Sequence, residues 1–513
     1  MHRVMRDGGV RRSAAGDPAP GMAASGGVPV RRATALGDAV RAHALGMAVS
    51  GCVTLLVLAG CAVGPDYHRP ATPVDAHYAN VGQPGLAEDV AVERYWTRFD
   101  DPLLDSLVDD ALHHNKDLAT AAANLQAARA ARRLAGFDQY PTATFSGGYT
   151  HNLYTEQQFP GVDQHDRQFD TADAGFDMLW ELDFFGRVRR NVEAARADVG
   201  VSTATLQDAR VSVIAEVARD YFVLRGLQDQ LALTVRNGDN QLSTLKLTRV
   251  RLEAGRGNEL DTSRADAQWR TTLASIPTLE ASIATTMYRL SVLTGRQPAA
   301  LTEQLTPQPQ PKLPPLNSIG TPEQLLRRRP DIRIAERRLA GSTARVGVAV
   351  GDLFPKVTLT GSFGYQAPTF ADFGQSEAKF FSIGPGITWA AFDLGRVRAR
   401  ISSARAETDA ALSSYEGAVL NALEDTEGAL VSYGRSQSHR ESLAAAAASS
   451  DKAADLARKR FEGGLVDFLE VLDAERTALT AELLHSQSRT DEATSLIAVY
   501  KALGAGWDLT DAK

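Results

Sequence analysis

The chain has 513 residues, of which 44% are hydrophobic and 23% are charged, a balance typical of a folded protein. Its formal net charge is -7, and lysine and arginine are scattered along it, so no basic surface for a nucleic acid is expected. It contains only two cysteines, Cys52 and Cys61, which excludes a disulfide framework and a cysteine-based metal site.

The first markedly apolar segment, residues 47–59, follows several arginines. It is too short to cross a bilayer core, which needs about 20 residues, and its position predicts a signal peptide. It leads into Leu58-Ala59-Gly60-Cys61, which resembles a bacterial lipobox. We therefore expect cleavage before Cys61 and a diacylglycerol on its thiol. The alternative is an ordinary secretory signal with an incidental cysteine.

Residues 1–60 are accordingly predicted to be a signal peptide with an N-terminal extension, and residues 61–102 a lipidated N-terminal segment. Ala62, not aspartate, follows the cysteine, which by the same resemblance favours sorting to the outer membrane. Two or more acyl chains would anchor the mature N-terminus firmly. The translation start is left open between Met1, Met22 and Met47.

One unit of sequence occurs twice. Three residues of the first copy recur at an offset of 214 and three more at an offset of 209, and the pairs are Asp117/Asp331, Pro141/Pro355, Gly147/Gly361, Trp180/Trp389, Gly186/Gly395 and Arg187/Arg396. A repeated unit predicts two similar halves, residues 103–305 and 322–513, joined by the proline-rich linker 306–321.

Each half contains a predicted strand hairpin, residues 141–182 and 355–392, in which apolar and polar residues alternate. In the second strand of the first hairpin, Phe176 and Trp180 lie on one face and Asp173 lies on the other. One wet face and one aromatic face are typical of lipid-facing barrel strands, although a half-buried soluble sheet alternates in the same way.

The number of strands constrains this sheet. The chain supplies four strands, whereas a membrane barrel needs about eight or more because an open edge is not tolerated in lipid. Either the sheet is soluble or several chains contribute to one barrel.

A long helical hairpin follows each strand hairpin, at residues 187–296 and 396–504. Residues 187–254 contain no proline and would span about 100 Å as one helix. Pro277 is expected to kink the return helix. The apolar residues of the first helix recur as in a coiled coil, at Val188, Val192, Ala195, Val199, Leu206, Ala209, Val213, Val217, Tyr221, Leu224, Leu231 and Val235. A generic coiled coil is the alternative, but it does not explain why each hairpin starts at the aromatic end of a strand.

Several motifs then carry a family resemblance. They are Val63-Gly64-Pro65-Asp66-Tyr67, Phe99-Asp100-Asp101-Pro102-Leu103, Arg328-Arg329-Pro330-Asp331-Ile332, Leu472-Asp473-Ala474-Glu475-Arg476 and Tyr500-Lys501-Ala502-Leu503-Gly504. Together they resemble the OprM and NodT branch of the TolC-like outer-membrane efflux factors. The resemblance runs from Leu58 almost to the C-terminus, with Tyr95-Trp96 where two tryptophans are more usual.

The resemblance implies a mixed α/β membrane protein. Three chains would form a homotrimer with a 12-stranded outer-membrane β-barrel, continued by a long α-helical barrel in the periplasm. It also implies a passive exit duct for drugs and other small molecules in a Gram-negative tripartite efflux system. The implied partners are a periplasmic adaptor and an inner-membrane pump of the resistance-nodulation-division class. No catalysis and no cofactor beyond the lipid on Cys61 are implied.

Rival functions come from other classes. An enzyme is disfavoured because the chain lacks a P-loop, a His-Glu-x-x-His motif and a Gly-x-Ser-x-Gly motif. The adjacent His113 and His114 diverge by about 100° on a helix, so they do not form an i, i+4 metal pair. A periplasmic coiled-coil scaffold and an exit duct for type I protein secretion stay open as alternatives.

Two turns at the ends of the helical hairpins are predicted to dock the adaptor, because exposed turns are within a partner's reach. Their residues are Gly255, Gly257, Asn258, Gly463, Gly464 and Asp467. The alternative is that the glycines serve only the turns.

A periplasmic aperture is predicted just after the second turn. Leu469, Asp473 and Arg476 share one helix face, and the resemblance implies that they line the closed aperture. The repeat places Arg264 opposite Asp473, so an ion pair between neighbouring hairpins would lock the closed state. The alternative is an ordinary surface pair between Asp473 and Arg476.

Overall fold

The computed structural model describes residues 62–79, 93–316 and 319–507. The predicted signal peptide and the predicted lipidation site Cys61 therefore lie outside the described residues.

Eight α-helices and four strands make up the described ranges. The helices are α1 (Pro102–His114), α2 (Lys116–Phe137), α3 (Arg187–Glu253), α4 (Glu259–Leu293), α5 (Pro322–Arg328), α6 (Pro330–Gly351), α7 (Leu394–Glu462) and α8 (Phe468–Ala502). The strands are β1 (Thr142–Leu153), β2 (Gln168–Leu182), β3 (Lys356–Ala367) and β4 (Lys379–Thr388). The return helices α4 and α8 thus end at Leu293 and Ala502, two or three residues earlier than expected.

The four strands form one antiparallel sheet in the order β1-β2-β3-β4, so β1 and β4 are its edges. The register places four phenylalanines side by side across all the strands, Phe145, Phe176, Phe363 and Phe381. All four are more than half exposed. Asp173 and Asp177 have the opposite parity and lie on the other face. The predicted alternation is therefore present, and the four phenylalanines of the aromatic face stay exposed in the described part of the chain.

The helices α3 and α7, with 67 and 69 residues, are each about 100 Å long. Helix α4 runs through Pro277, which lies inside it. Among the described residues, no helix combines the length and apolarity needed to cross a bilayer.

The predicted seam of α3 is only partly buried. Val188, Val213 and Tyr221 are buried, but Val235 is 43% exposed and Arg190 is buried instead. The physical reason is that α3 packs against several helices, so no single stripe describes its contacts. At Gly347 of α6 an added Cβ would lie 2.8 Å from the Arg190 side chain, and this close approach covers Arg190.

A central core joins the two halves. Leu107 of α1, Leu290 of α4 and Leu496 of α8 are buried in it together with the middle of α3. The Tyr95 ring stacks on the Tyr500 ring with their centroids 4.6 Å apart. This core therefore contacts both long helical hairpins, through α3 and α4 of the first and α8 of the second.

Residues 62–79, here called the N-terminal strap, run from the first half to the second. The Val63 amide donates to the Phe185 carbonyl at 3.0 Å, just after β2. Farther along, the Tyr67 hydroxyl donates to Glu336 Oε1 at 2.7 Å, and the Ala79 amide donates to Glu427 Oε1 at 2.6 Å. The strap therefore ties the sheet end of α3 to helices α6 and α7.

Candidate functional site

The turns between the long helices have the same geometry in both halves. Gly255 and Gly464 adopt positive φ angles of 68° and 74°. After α3, the Arg256 amide donates to the Arg251 carbonyl at 2.8 Å; after α7, the Leu465 amide donates to the Arg460 carbonyl at 2.9 Å. Each turn is a glycine C-cap that satisfies the last carbonyls of its helix.

Two predicted tip residues remain in each turn. Asn258 caps α4, because its side chain accepts from the Asp261 amide at 2.8 Å. A Cβ on Gly257 would lie 3.0 Å from the Leu252 nitrogen, so this glycine allows a tight turn. Gly463 ends α7, and Asp467 precedes α8 without a side-chain cap. All the predicted tip residues are exposed.

The two tips lie against each other. Leu245 of α3, Ala265 of α4, and Phe461 and Phe468 of the second hairpin belong to one buried apolar cluster. The Arg251 guanidinium lies 4.2 Å from the centre of the Phe461 ring. Contacts between the hairpins therefore set the position of the second tip relative to the first.

The predicted aperture residues share one exposed face of α8. Leu469, Asp473 and Arg476 are all exposed, whereas Phe468 and Val471 on the opposite face are buried. Within the described ranges, no ion pair joins Asp473 to Arg476.

Arg264 is also exposed, and no ion pair joins it to Asp473 inside the chain as far as the structure describes it. The predicted face is therefore available to a neighbouring molecule.

Sequence reasoning missed an ion pair with a buried carboxylate beside this face. Glu475 is 7% exposed and lies 3.0 Å from an Arg458 guanidinium nitrogen. The Thr244 hydroxyl of α3 also donates to Glu475 at 3.0 Å. The available signal was the spacing, since Glu475 follows Phe468 by seven residues and therefore lies on the buried face of α8.

Polar contacts continue along α3 and α8 above this pair. Glu482 accepts from Arg236 Nη2 and Asn237 Nδ2, both at 2.8 Å. Higher still, Gln230 donates to Gln487 at 2.9 Å. Between the central core and the tip cluster, α3 and α8 are thus joined largely by hydrogen bonds.

The other end of the helical arms meets the sheet. The Trp180 indole donates to the Gln139 carbonyl, and the Trp389 indole donates to the Leu353 carbonyl, both at 3.0 Å. Both acceptors lie just before the strand that starts each hairpin. A Cβ on Gly186, which precedes α3, would lie 2.6 Å from Ala62. The residue after Cys61 is thus fixed at the junction of sheet and helix.

No group of three or more histidine, cysteine, aspartate or glutamate side chains is arranged to hold a metal ion in the part of the chain that the structure describes. His113 and His114 end α1 exposed, with each Nδ1 contacting the carbonyl four residues earlier.

Comparisons with known proteins agree on one family. A family model described as outer membrane efflux protein matches residues 107–296 and 321–505. Outer membrane protein OprJ of Pseudomonas aeruginosa is 31% identical over 463 residues, which cover 90% of this chain and 96% of OprJ. The solved outer-membrane channel OprN is 42% identical, with a TM-score of 0.82 over 87% of this chain and 100% of that chain. The open-state MtrE channel of Neisseria gonorrhoeae is 27% identical, with a TM-score of 0.77 over 87% of this chain and 99% of that chain.

Proposed function

This chain belongs to the outer membrane efflux protein family, whose members are the outer-membrane channels of efflux pumps, and we propose that three copies of it assemble into one continuous duct. The four-stranded sheets would close a 12-stranded barrel in the outer membrane. The long helices of the repeated halves would continue it into the periplasm. The duct would be passive and without catalysis, with transport driven by an inner-membrane pump.

The sheet carries this proposal. No described strand pairs with the outer side of its edge strands β1 and β4, and its aromatic face is exposed along the row from Phe145 to Phe381. An unpaired edge is not tolerated in lipid, and neither is a large apolar face in water. Pairing β4 of one copy with β1 of the next would remove the open edges, and placing the aromatic face in lipid would remove it from water. Asp173 and Asp177 would then lie on the wet inner face.

Native mass spectrometry of the full-length protein, extracted from outer membranes in detergent, tests the assembly. We expect a trimer that dissociates on heating. A folded monomer as the sole species would contradict the proposal. Sedimentation of the protein with the soluble periplasmic fraction would instead favour the scaffold alternative.

A lipid on Cys61 fits this arrangement. Ala62 lies at Gly186, where β2 passes into α3, which is the level at which the proposed barrel ends on the periplasmic side. Acyl chains attached to the preceding residue would therefore enter the inner leaflet without stretching the strap. Mass spectrometry should find Cys61 as the acylated N-terminus, and an intact peptide across Gly60-Cys61 would refute this.

The paired tips are proposed to dock the periplasmic adaptor of the pump. Gly463 and Asp467 are exposed and take no part in the apolar cluster beneath, and Asn258 uses only its side-chain oxygen as a cap. Crosslinking in cells from a photoreactive residue at Asp467 should capture the adaptor when the pump is present. The same residue at Glu407, far from the tip on α7, is the matched control, and equal adduct yields would refute docking.

The exposed face of Leu469, Asp473 and Arg476 is proposed to line the closed periplasmic aperture. In a trimer, three leucines form an apolar constriction and three aspartates attract cations. The absence of a partner for Arg264 within the described chain supports a pair with Asp473 of a neighbouring copy. Opening would then separate few contacts, each worth about 0.5–3 kcal/mol according to burial.

A further inference from the structure

Two loops close the end of the sheet that lies opposite the long helices. One, residues 154–167, joins β1 to β2, and the other, residues 368–378, joins β3 to β4. Since the helices extend into the periplasm, this end faces the outside of the cell. That orientation rests on the proposed function.

The first loop is held in a defined shape by its own hydrogen bonds. The Tyr154 amide donates to the Arg167 carbonyl at 3.0 Å, so the two ends of the loop are joined. The Arg167 guanidinium donates back to the Tyr154 carbonyl at 3.0 Å and to the Val162 carbonyl at 3.1 Å. The side chains that this loop carries therefore have fixed positions.

Three aromatic rings cluster where this loop meets the sheet. The ring centroids of Tyr154 and Phe159 are 5.5 Å apart, and those of Tyr154 and Phe169 are 5.4 Å apart. Each ring remains 39–45% exposed. Phe169 pairs with Asn152 and has the parity of Asp173, so it lies on the wet face of the sheet. Apolar rings at the end of a polar face need a separate explanation.

The rings border a shallow, open depression of about 430 Å³, which is also lined by Gln366, Pro368 and Asp170. We call this depression the mouth pocket. In the proposed trimer, three mouth pockets surround the outer opening of the duct. A depression of this volume has room for a drug-sized molecule against its aromatic floor while leaving the molecule's other side in water.

The surroundings of the mouth pocket are strongly acidic. Residues 154–170 contain four acidic residues and one arginine, a net charge of -3, and residues 368–379 contain two acidic residues and one lysine, a net charge of -1. The acidic residues are Glu156, Asp163, Asp166, Asp170, Asp372 and Glu377. The trimer would thus carry a charge of about -12 around its opening, which raises the local concentration of cations.

We propose that the mouth pocket binds amphiphilic organic cations as they leave the duct. The faces of aromatic rings attract cations, and the rings also accept an apolar body. The acidic loops favour positive charge over neutral or negative charge. Each exiting cation would be held briefly at the opening before it is released.

Calorimetric titration of the full-length trimer with tetraphenylphosphonium tests this, with triphenylphosphine oxide as the neutral probe of similar shape. We expect the cation to bind and the neutral probe to bind at least about tenfold more weakly. Replacing the rings together, Tyr154→Leu with Phe159→Leu and Phe169→Leu, keeps apolar volume but removes the aromatic faces. This variant should bind the cation about tenfold more weakly.

Phe381→Leu on the lipid-facing row is the matched control and should bind as the wild type does. A second variant, Asp163→Asn with Asp166→Asn, should weaken binding and reduce its dependence on salt. No cation binding by the wild type, equal binding of the neutral probe, or unchanged affinity in the leucine variant would each overturn the proposal. The mass of the same samples tests trimer formation separately, so a failure of the pocket is distinguishable from a failure of the assembly.

Discussion

Arg458 of α7 and Glu475 of α8 form an ion pair of 3.0 Å inside the tip of the second helical hairpin. Glu475 is buried and also accepts from Thr244 of α3, so this one carboxylate joins both hairpins. Leu469 and Asp473 lie on the opposite, exposed face of α8, so a movement of α8 at the proposed aperture would disturb these bonds. The pair would therefore couple the packing of the tip to the proposed aperture.

Glu475→Ala is expected to loosen the second tip. Truncation leaves Thr244 and the half-buried Arg458 without their acceptor, which should cost about 1–3 kcal/mol of stability. We expect a lower thermal unfolding midpoint and a larger single-channel conductance. Asp455→Ala, which removes an exposed pair with Lys459, should change stability by less than about 0.5 kcal/mol. Equal effects of the two variants would argue against a role for Glu475.

Leu469→Ala combined with Asp473→Ala is expected to widen the proposed aperture, because it would remove an apolar constriction and a ring of charge without changing the buried face of α8. Planar-bilayer recording should show a conductance several times that of the wild type. Glu470→Ala, an exposed change one residue away, should leave conductance unchanged. A double variant that stays trimeric and conducts like the wild type would show that these residues are not the gate.

Trp389→Phe should destabilise the junction of sheet and helix. It removes the indole donor to the Leu353 carbonyl while keeping an aromatic ring at the membrane boundary, at a cost of about 1 kcal/mol. The temperature at which the proposed trimer dissociates is the measurement, and we expect it to fall. Phe392→Leu, at a fully exposed position nearby, is the control. Equal dissociation temperatures for Trp389→Phe and the wild type would contradict the expectation.

The contact between the N-terminal strap and Glu336 makes the stability of the protein depend on pH. Burial raises the pKa of Glu336, but hydrogen bonds from Arg337 and Tyr67 outweigh burial and lower that pKa below its ordinary value. A lowered folded pKa means that the stabilisation is complete above the unfolded value of about 4.3 and is lost as the pH falls through the folded value.

Tyr67→Phe removes one of these donors and should cost about 1 kcal/mol at neutral pH. The pKa of Glu336 should rise towards its unfolded value. The difference in the free energy of unfolding between the wild type and the variant should therefore shrink as the pH falls below about 4. Unfolding measured from pH 3 to 7 tests this. Tyr288→Phe at an exposed position should show no pH-dependent difference, and a constant difference for Tyr67→Phe would contradict the coupling.

The family was recognisable from the sequence alone, and the comparisons confirm it. Local patterns were sufficient for the alternating strands, because Phe176 and Asp173 report their faces through a period of two. Gly255 and Gly464 likewise predicted the turns, because glycine is favoured in a backbone conformation that other residues adopt at a cost in free energy. These features depend only on residues that are close in sequence within one element. They can therefore be predicted without knowledge of the fold.

Only the tertiary structure decided which helices meet and which charges are buried. Val235 fits the seam of α3 but is exposed, whereas Arg190 is buried because Gly347 lets α6 approach closely. Glu475 accepts a hydrogen bond from Thr244, which lies 231 residues earlier in the sequence. The Phe169 ring contacts the Tyr154 ring only because the loop between them folds back. Periodicity predicts which residues share a face of a helix or strand. Which other element packs against that face depends on how segments distant in sequence dock, and local spacing does not specify the docking.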